Sequence, residues 1–211
     1  ANFFYQPETD KKYSSNLSIT DFITNTYTYV GWNWKKGVTP GFDIVTYTGN
    51  GSNRTISHSL GAVPHFMLVK ARTTAGTDQG WAVYHRNLTS AAYYLILNTN
   101  ATETSNNTVW NSTAPTSSVF SVGTNSGVNA SGDRFIAYCF AAVSGFSLMG
   151  AYTGNGAADG PFVYTGFRPR WILLKNSSAG STDWEIFDGR WQRNRQHEGR
   201  RRKCQRYRDR K

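Results

Sequence analysis

Four histidines, two cysteines and thirteen carboxylates are the side chains of this 211-residue chain best suited to bind a metal or move a proton. Their spacing favours neither. His58, His65, His85 and His197 show no His-x-x-x-His pattern, and Cys139 and Cys204 lie far apart in the chain, so no metal-ligand set is expected. No Gly-x-Ser-x-Gly elbow, phosphate loop or dinucleotide fingerprint occurs. Glu185 and Asp188 fall on opposite faces if 184–188 is a strand, which argues against a carboxylate pair. Ser and Thr are too abundant for any one of them to mark a nucleophile. The expectation is a non-enzymatic protein with no metal and no cofactor.

Binding is the chemistry the residues suit better. Exposed Trp and Tyr stack on sugar rings or bases while nearby amides supply hydrogen bonds. Trp81, Tyr84, Trp110 and Trp184 are the aromatic candidates. Trp81 and Trp184 occupy equivalent places on expected strands and read as core. Trp110 sits in the long polar segment Thr99 to Ser118, so it reads as surface, with Asn106, Asn107 and Asn111 beside it as the ligand-binding set. Nine Asn-x-Ser/Thr triplets occur, including those at Asn50, Asn106, Asn111 and Asn129, and a chain this rich in Asn, Ser and Thr generates them by chance.

The elements that must carry these residues are announced by an internal repeat. Tyr47-Thr48-Gly49-Asn50-Gly51, Leu60-Gly61, Pro64 and Phe66 to Lys70 return as Tyr152-Thr153-Gly154-Asn155-Gly156, Thr165-Gly166, Pro169 and Trp171 to Lys175, at a constant offset of 105 residues. Gly41-Phe42 returns as Gly145-Phe146, and Trp81 to Tyr84 as Trp184 to Phe187. Tyr29 to Trp34 precedes Phe135 to Phe140 by 106 residues, and both read as strands that close a unit. Residues 1–40 are therefore expected to be a lead-in or the end of a preceding repeat, 41–143 a complete repeat, and 144–189 the first half of another.

Aromatic content of 15%, 20 glycines and the lack of a long helical pattern indicate an all-β chain. Strands are expected at 43–49, 55–60, 65–72, 81–86, 93–98, 119–123 and 133–143, with one more at 26–34. Leu17 to Thr26 reads as a loop or a single helical turn. Seven strands in about 100 residues suggest a β-sandwich, jelly-roll-like, built from a unit of about 105 residues. The Gly49-Asn50-Gly51 and Gly154-Asn155-Gly156 triplets supply turns, and Pro64 and Pro169 deliver the chain into apolar strands expected to be covered on both faces. Cys139, inside an apolar run, reads as a small buried residue.

The net charge of +10 is concentrated at one end, since residues 190–211 hold 11 of the 23 Lys and Arg and only two acids. Such a tail could bind nucleic acid phosphates. Its composition, which departs abruptly from that of the body in mid-repeat, favours a frameshifted or truncated reading of a longer repeat protein. In either case it cannot bury a core. No signal-peptide pattern or membrane-length apolar run is read.

Gly145-Phe146 through Pro169, with Tyr152 to Gly156 and Asp159-Gly160-Pro161-Phe162-Val163-Tyr164-Thr165-Gly166, resembles a duplicated domain of unknown function found in marine bacteriophage and metagenomic sequences. Tyr138-Cys139-Phe140-Ala141, Trp110-Asn111, Pro115-Thr116-Ser117 and Val128 to Gly132 share the resemblance. It implies a virion structural or tail component, and it brings no catalytic or binding residues. On this basis the expected role is a tail-fibre or surface-appendage module, extracellular on the virion. Its partners would be other virion proteins or copies of itself, for example as a trimer, and a host-surface glycan, with no membrane. A secreted carbohydrate-binding or adhesin domain, and nucleic-acid binding through the tail, are the alternatives.

Overall fold

The computed structural model describes residues 32–72 and 80–188. The lead-in at 1–16, the segment 17–26, most of the strand expected at 26–34 and the basic tail at 190–211 lie outside the described residues. The chain divides into two compact units, Ala1–Lys36 and Gly37–Lys211. In the first of these, residues 32–36 are described and carry no strand.

In the second unit, alternating side chains bounded by turn residues build β1 (Phe42–Thr48), β2 (Arg54–Ser57), β3 (Phe66–Ala71), β4 (Ala82–His85) and β5 (Tyr93–Ile96). Next come β6 (Thr104–Ser105), the one-turn helix α1 (Asn107–Trp110), β7 (Val119–Val122), a second helical turn α2 (Ser126–Asn129) and β8 (Arg134–Phe140). The chain continues into β9 (Trp171–Leu174) and β10 (Glu185–Asp188). The strands expected between 41 and 143 are all present. The additions are β6 and α1, inside the segment read as the longest loop, and α2. An all-β antiparallel protein is the result.

Six strands form one sheet in the order β1-β8-β3-β4-β5-β6, while β2 with β7 and β9 with β10 make two-stranded ribbons. The closing strand β8 is central. It pairs antiparallel with β1 from Phe42↔Phe140 to Thr48↔Arg134, and on its other side with β3 from Phe66↔Phe140 to Ala71↔Phe135. Because side chains alternate, Met67, Val69, Phe135, Ala137 and Cys139 share one face. There they meet Ile56, Phe120 and Val122 of the β2–β7 ribbon and Val109, Trp110 and Val128 of the helical turns in a single core. The other face of the sheet carries stacked and tilted rings, among them Phe42 on Phe140 at 4.7 Å and Trp81 on Tyr138 at 6.0 Å.

One buried polar side chain closes this arrangement. Asn129 is fully buried; its Nδ2 donates to Gly123 O at 2.7 Å and Ser52 O at 2.8 Å and lies 3.2 Å from Asn50 Oδ1, while its Oδ1 accepts from Asn50 N at 3.0 Å. The approach requires glycine on both sides. A Cβ at Gly49 would lie 2.1 Å from Ala130 O, and one at Gly123 would lie 2.1 Å from Thr108 O. Of the Gly49-Asn50-Gly51 triplet only Gly51 takes a positive φ, at 70°. Gly49 is therefore required for close approach and not for its φ.

The expectation of a strand covered on both faces is met only in part by β3, buried at Met67 and Val69 and half-buried at Phe66, Leu68 and Lys70, and fails for its counterpart β9. β3 lies between β8 and β4, with Met67 and Val69 buried. Among the described residues β9 pairs only with β10, and Ile172 is exposed, because no described layer lies over it as the β2–β7 ribbon and the helical turns lie over Met67.

Replacing Asn129 with Ala should lower unfolding stability by roughly 2–3 kcal/mol, since it leaves the buried Gly123 carbonyl without its partner and removes the bonds to Asn50 N–H and Ser52 O at the edge of the core. Chemical denaturation measures this. A loss below about 1 kcal/mol would mean that the amide is not the tie described.

Candidate functional site

The expected binding set around Trp110 is a helix terminus. Asn106 is the N-cap of α1, its Oδ1 accepting from Thr108 N at 2.9 Å and from the Thr108 hydroxyl at 2.7 Å. Asn111 ends the turn in the left-handed conformation, φ 51°. Asn107 is exposed on the first residue of the helix. This single turn folds Val109 and Trp110 inward, and Gly123 N–H bonds to Val109 O at 2.9 Å to hold it there. Trp110 is 1% exposed, edge-on to Tyr84 at 6.0 Å, so it packs the core and presents no ring face to a sugar. The reading of Trp110 as a surface residue is corrected on that ground. Its indole N–H has no acceptor among the described residues.

The other candidates divide differently. Tyr84 is buried. Trp81 lies half-buried on the sheet face opposite the core, stacked on Tyr138. Trp184 is also half-buried, and its Nε1–H donates to Ile96 O at 3.1 Å. The repeat argument puts both tryptophans in a core. Neither belongs to it, because each precedes its strand by one residue and turns to the face away from Met67 or its counterpart.

Trp184 brings together the polar residues that sequence reasoning overlooked. A recess of about 560 Å³ is lined by Leu97, Asn98, Thr99, Asn100, Asp183 and Trp184. Its volume suits a small ligand. Its walls are joined by the Trp184 bond to Ile96, by Glu103 N–H to Ser177 O at 3.0 Å and by Lys175 Nζ, which donates to Asn176 O at 2.7 Å and reaches Asn100 O at 3.5 Å. Burial lowers the Lys175 pKa while Asp183 opposes that shift. Asn98 Oδ1 accepts from Trp81 N at 3.0 Å, which orients the amide and leaves its N–H donors without a partner among the described residues. An aromatic ring, two amides, a hydroxyl and a carboxylate around one depression are the groups that grip a sugar's apolar face and its hydroxyls. The sequence signal was weak, since Asn98 to Asn100 and Asp183-Trp184 lie more than 80 residues apart.

Elsewhere the ionisable groups are structural. The His58 ring accepts from Leu60 N at Nδ1 and donates from Nε2 to Thr116 O at 3.1 Å. The Cys139 thiol is pushed up to about 12 by burial and by Asp43, which leaves it protonated and inert near neutrality. The buried Tyr47 phenol is raised for the same first reason and donates to Val128 O at 2.6 Å. At the end of the β3–β4 pair, an Arg86 guanidinium nitrogen lies 3.2 Å and 3.1 Å from the two ring nitrogens of His65. Burial first, then the Arg86 charge, lowers both His65 and His85. No group of three or more His, Cys, Asp or Glu placed to hold a metal occurs among the described residues. Nor is any helix among them long and apolar enough to cross a membrane.

Two outcomes follow from this geometry. Trp110→Ala should cost about 3–5 kcal/mol of stability, whereas Trp110→Phe, which discards only an unbonded N–H and part of the ring, should cost about 1–2 kcal/mol; equal losses in thermal unfolding would contradict the packing role. The histidines set a pH dependence. Because the folded state holds each below its ordinary value of 6.5, it binds fewer protons than the unfolded chain, so their stabilisation is complete above that value and is lost as pH falls below it. The melting temperature should drop between pH 7 and pH 5 by more than that of the His65→Gln, His85→Gln double variant.

Comparison with known proteins gives one family. No curated protein and no solved structure matches the chain. Residues 11–206 match a family described as a domain of unknown function, so the span includes both the core under β3 and β8 and the Trp184 recess. The chain belongs to that family, DUF7483.

Proposed function

We propose that this chain is a non-enzymatic structural module of a bacteriophage virion, part of a tail fibre or similar surface appendage, built from a repeated unit of about 105 residues. The observation that carries the repeat is a shared register. β3 pairs with β4 as Phe66↔His85, Met67↔Tyr84, Leu68↔Val83 and Val69↔Ala82. β9 pairs with β10 as Trp171↔Asp188, Ile172↔Phe187, Leu173↔Ile186 and Leu174↔Glu185, which is the same set displaced by 105 and 103 residues. The turns agree as well. Asn50 Oδ1 accepts from Ser52 N at 3.0 Å and Asn155 Oδ1 from Ala157 N at 3.0 Å, while Gly51 and Gly156 both have φ 70°.

In this reading the six-stranded sheet and the β2–β7 ribbon with its helical turns are the two unequal layers of a sandwich. Sandwich units in series make a stiff rod that resists proteolysis, which is what an appendage requires. The Trp184 recess gives the rod a glycan-binding place on each unit boundary, and many weak sites on one fibre bind a cell surface firmly. The recess equally suits a secreted carbohydrate-binding or adhesin domain, so the virion assignment needs its own test.

Glycan binding by the purified chain should weaken about tenfold, or ~1.4 kcal/mol, in Trp184→Ala and be unchanged in Asn107→Ala. Loss in neither variant would remove the recess from the proposal. Tryptic peptides of the chain should also appear in gradient-purified virions in proportion to known structural proteins. Their absence from such particles would defeat the virion reading and leave the adhesin one.

A further inference from the structure

The dipeptide Asn-Gly occurs twice in this chain, each time inside the same five residues, Tyr47 to Gly51 and Tyr152 to Gly156. In this pair a backbone nitrogen reaches the preceding side-chain carbonyl with least hindrance, because glycine brings no Cβ to shield its N–H. The structure holds the two copies differently. Both amide oxygens accept from the N–H two residues on, Asn50 Oδ1 from Ser52 N and Asn155 Oδ1 from Ala157 N, each at 3.0 Å. At the first site the intervening nitrogen is committed as well, since Gly51 N–H donates to Asn129 O at 2.8 Å. The Asn129 side chain adds to this, accepting from Asn50 N at 3.0 Å and placing its Nδ2 3.2 Å from Asn50 Oδ1. At the second site Gly156 N–H has no acceptor among the described residues, residues 151–159 are all exposed, and a Cβ built on Gly156 would meet nothing within 4 Å.

We propose that Asn155 is a site of spontaneous modification, its side-chain amide giving way to a carboxylate through a cyclic imide, and that Asn50 in the identical sequence is protected by Asn129. The Gly156 nitrogen loses its proton to solvent hydroxide and attacks Asn155 Cγ. A Cγ–N bond forms, the Cγ–Nδ2 bond breaks, and Nδ2 takes a proton from water and leaves as ammonia, closing a five-membered imide. Water then opens either carbonyl of the ring, giving an aspartyl or an isoaspartyl residue. One water enters, one ammonia leaves, and nothing is oxidised or reduced. The Ala157 N–H assists, since it already points at the oxygen that becomes negative during the attack. Ser52 N–H offers Asn50 the same help, so the oxygen does not separate the two sites. The nucleophile does. Gly51 N must give up its bond to Asn129 O, and Asn50 its ties to the Asn129 side chain, before the ring can close. Conversion at Asn155 puts a negative charge on an exposed turn, and the isoaspartyl form adds a methylene to the main chain there.

Ageing the full chain in mildly alkaline buffer tests it. Proteolytic peptides carrying each site, read by mass spectrometry at intervals, should show conversion at Asn155 on the order of tenfold faster than at Asn50, the factor that one hydrogen bond on the nucleophile carries in rate. Aspartyl and isoaspartyl products should both form, and the rate should rise with pH, as a deprotonated nitrogen requires. The same chain in strong denaturant is the control. There the two sites, alike in sequence, should convert at similar rates. Asn50 converting as fast as Asn155 in the folded chain overturns the proposal. So does a ratio that survives in denaturant, since its cause would then be local sequence and not Asn129. No conversion at Asn155 in the folded chain, while both sites convert in denaturant, overturns it too, because the turn would then protect its own side chain. In Asn155→Gln the longer side chain would have to close a six-membered ring, so conversion of that peptide should all but cease; an unchanged rate would assign the signal to another residue and overturn the proposal.

Discussion

The six-stranded sheet and the layer over it depend on a single buried amide. Asn129 stands at the end of α2, just before β8, and its side chain holds the turn after β1 on one side and the end of β7 on the other through Asn50, Ser52 and Gly123. A buried amide has no water to fall back on, so every one of those bonds must be made inside the protein. The requirement propagates outward. Gly49 and Gly123 must lack a Cβ for the backbones to come close enough, and α1, α2 and the β2–β7 ribbon are thereby set against the same sheet face. The consequence at the closing strand is larger than the amide itself. With its start anchored beside the end of β1, β8 runs antiparallel between β1 and β3 and seals a core drawn from strands distant in sequence.

The same constraint distributes the aromatic residues, and with them any capacity to bind. Trp110 is drawn inward because α1 sits directly over the core, while Trp81 and Trp184 face away from it. Three tryptophans of similar sequence context therefore have three different roles: packing, covering the far side of the sheet, and lining a recess. Polar residues near an aromatic are a poor guide to which role applies. Around Trp110 the Asn106 side chain is already committed to the backbone as an N-cap, and Asn111 serves to end the turn. Around Trp184 the amides retain donors.

Comparison of residues 41–143 with 144–188 separates what a segment does by itself from what its neighbours do to it. Residues 152–157 take the turn that 47–52 takes, and β9 finds β10 in the register with which β3 finds β4. Yet 146–153 does not become a strand, and the face equivalent to the core stays exposed. A strand's backbone groups gain little until a partner satisfies them, so the segment that aligns with β1 remains extended without one.

How much of this was legible follows the range of the forces involved. Alternation of apolar and polar residues located β1 to β5, β7 and β8 to within a few positions. Gly, Asn and Pro located the turns, because dihedral preference and period are properties of a few adjacent residues. The constant offset from Tyr47 to Lys70 foretold the shared register of β9 and β10 for the same reason. Asn106 and Asn111 could have been read as the caps of a short helix around Val109-Trp110, but a single turn is too brief to show a helical period. Burial of Trp110, the recess at Trp184 and the exposure of Ile172 and Phe187 were not legible at all. They depend on which distant segment lies over each residue, and in a sheet whose first and last strands are neighbours that is decided only when β8 enters between β1 and β3.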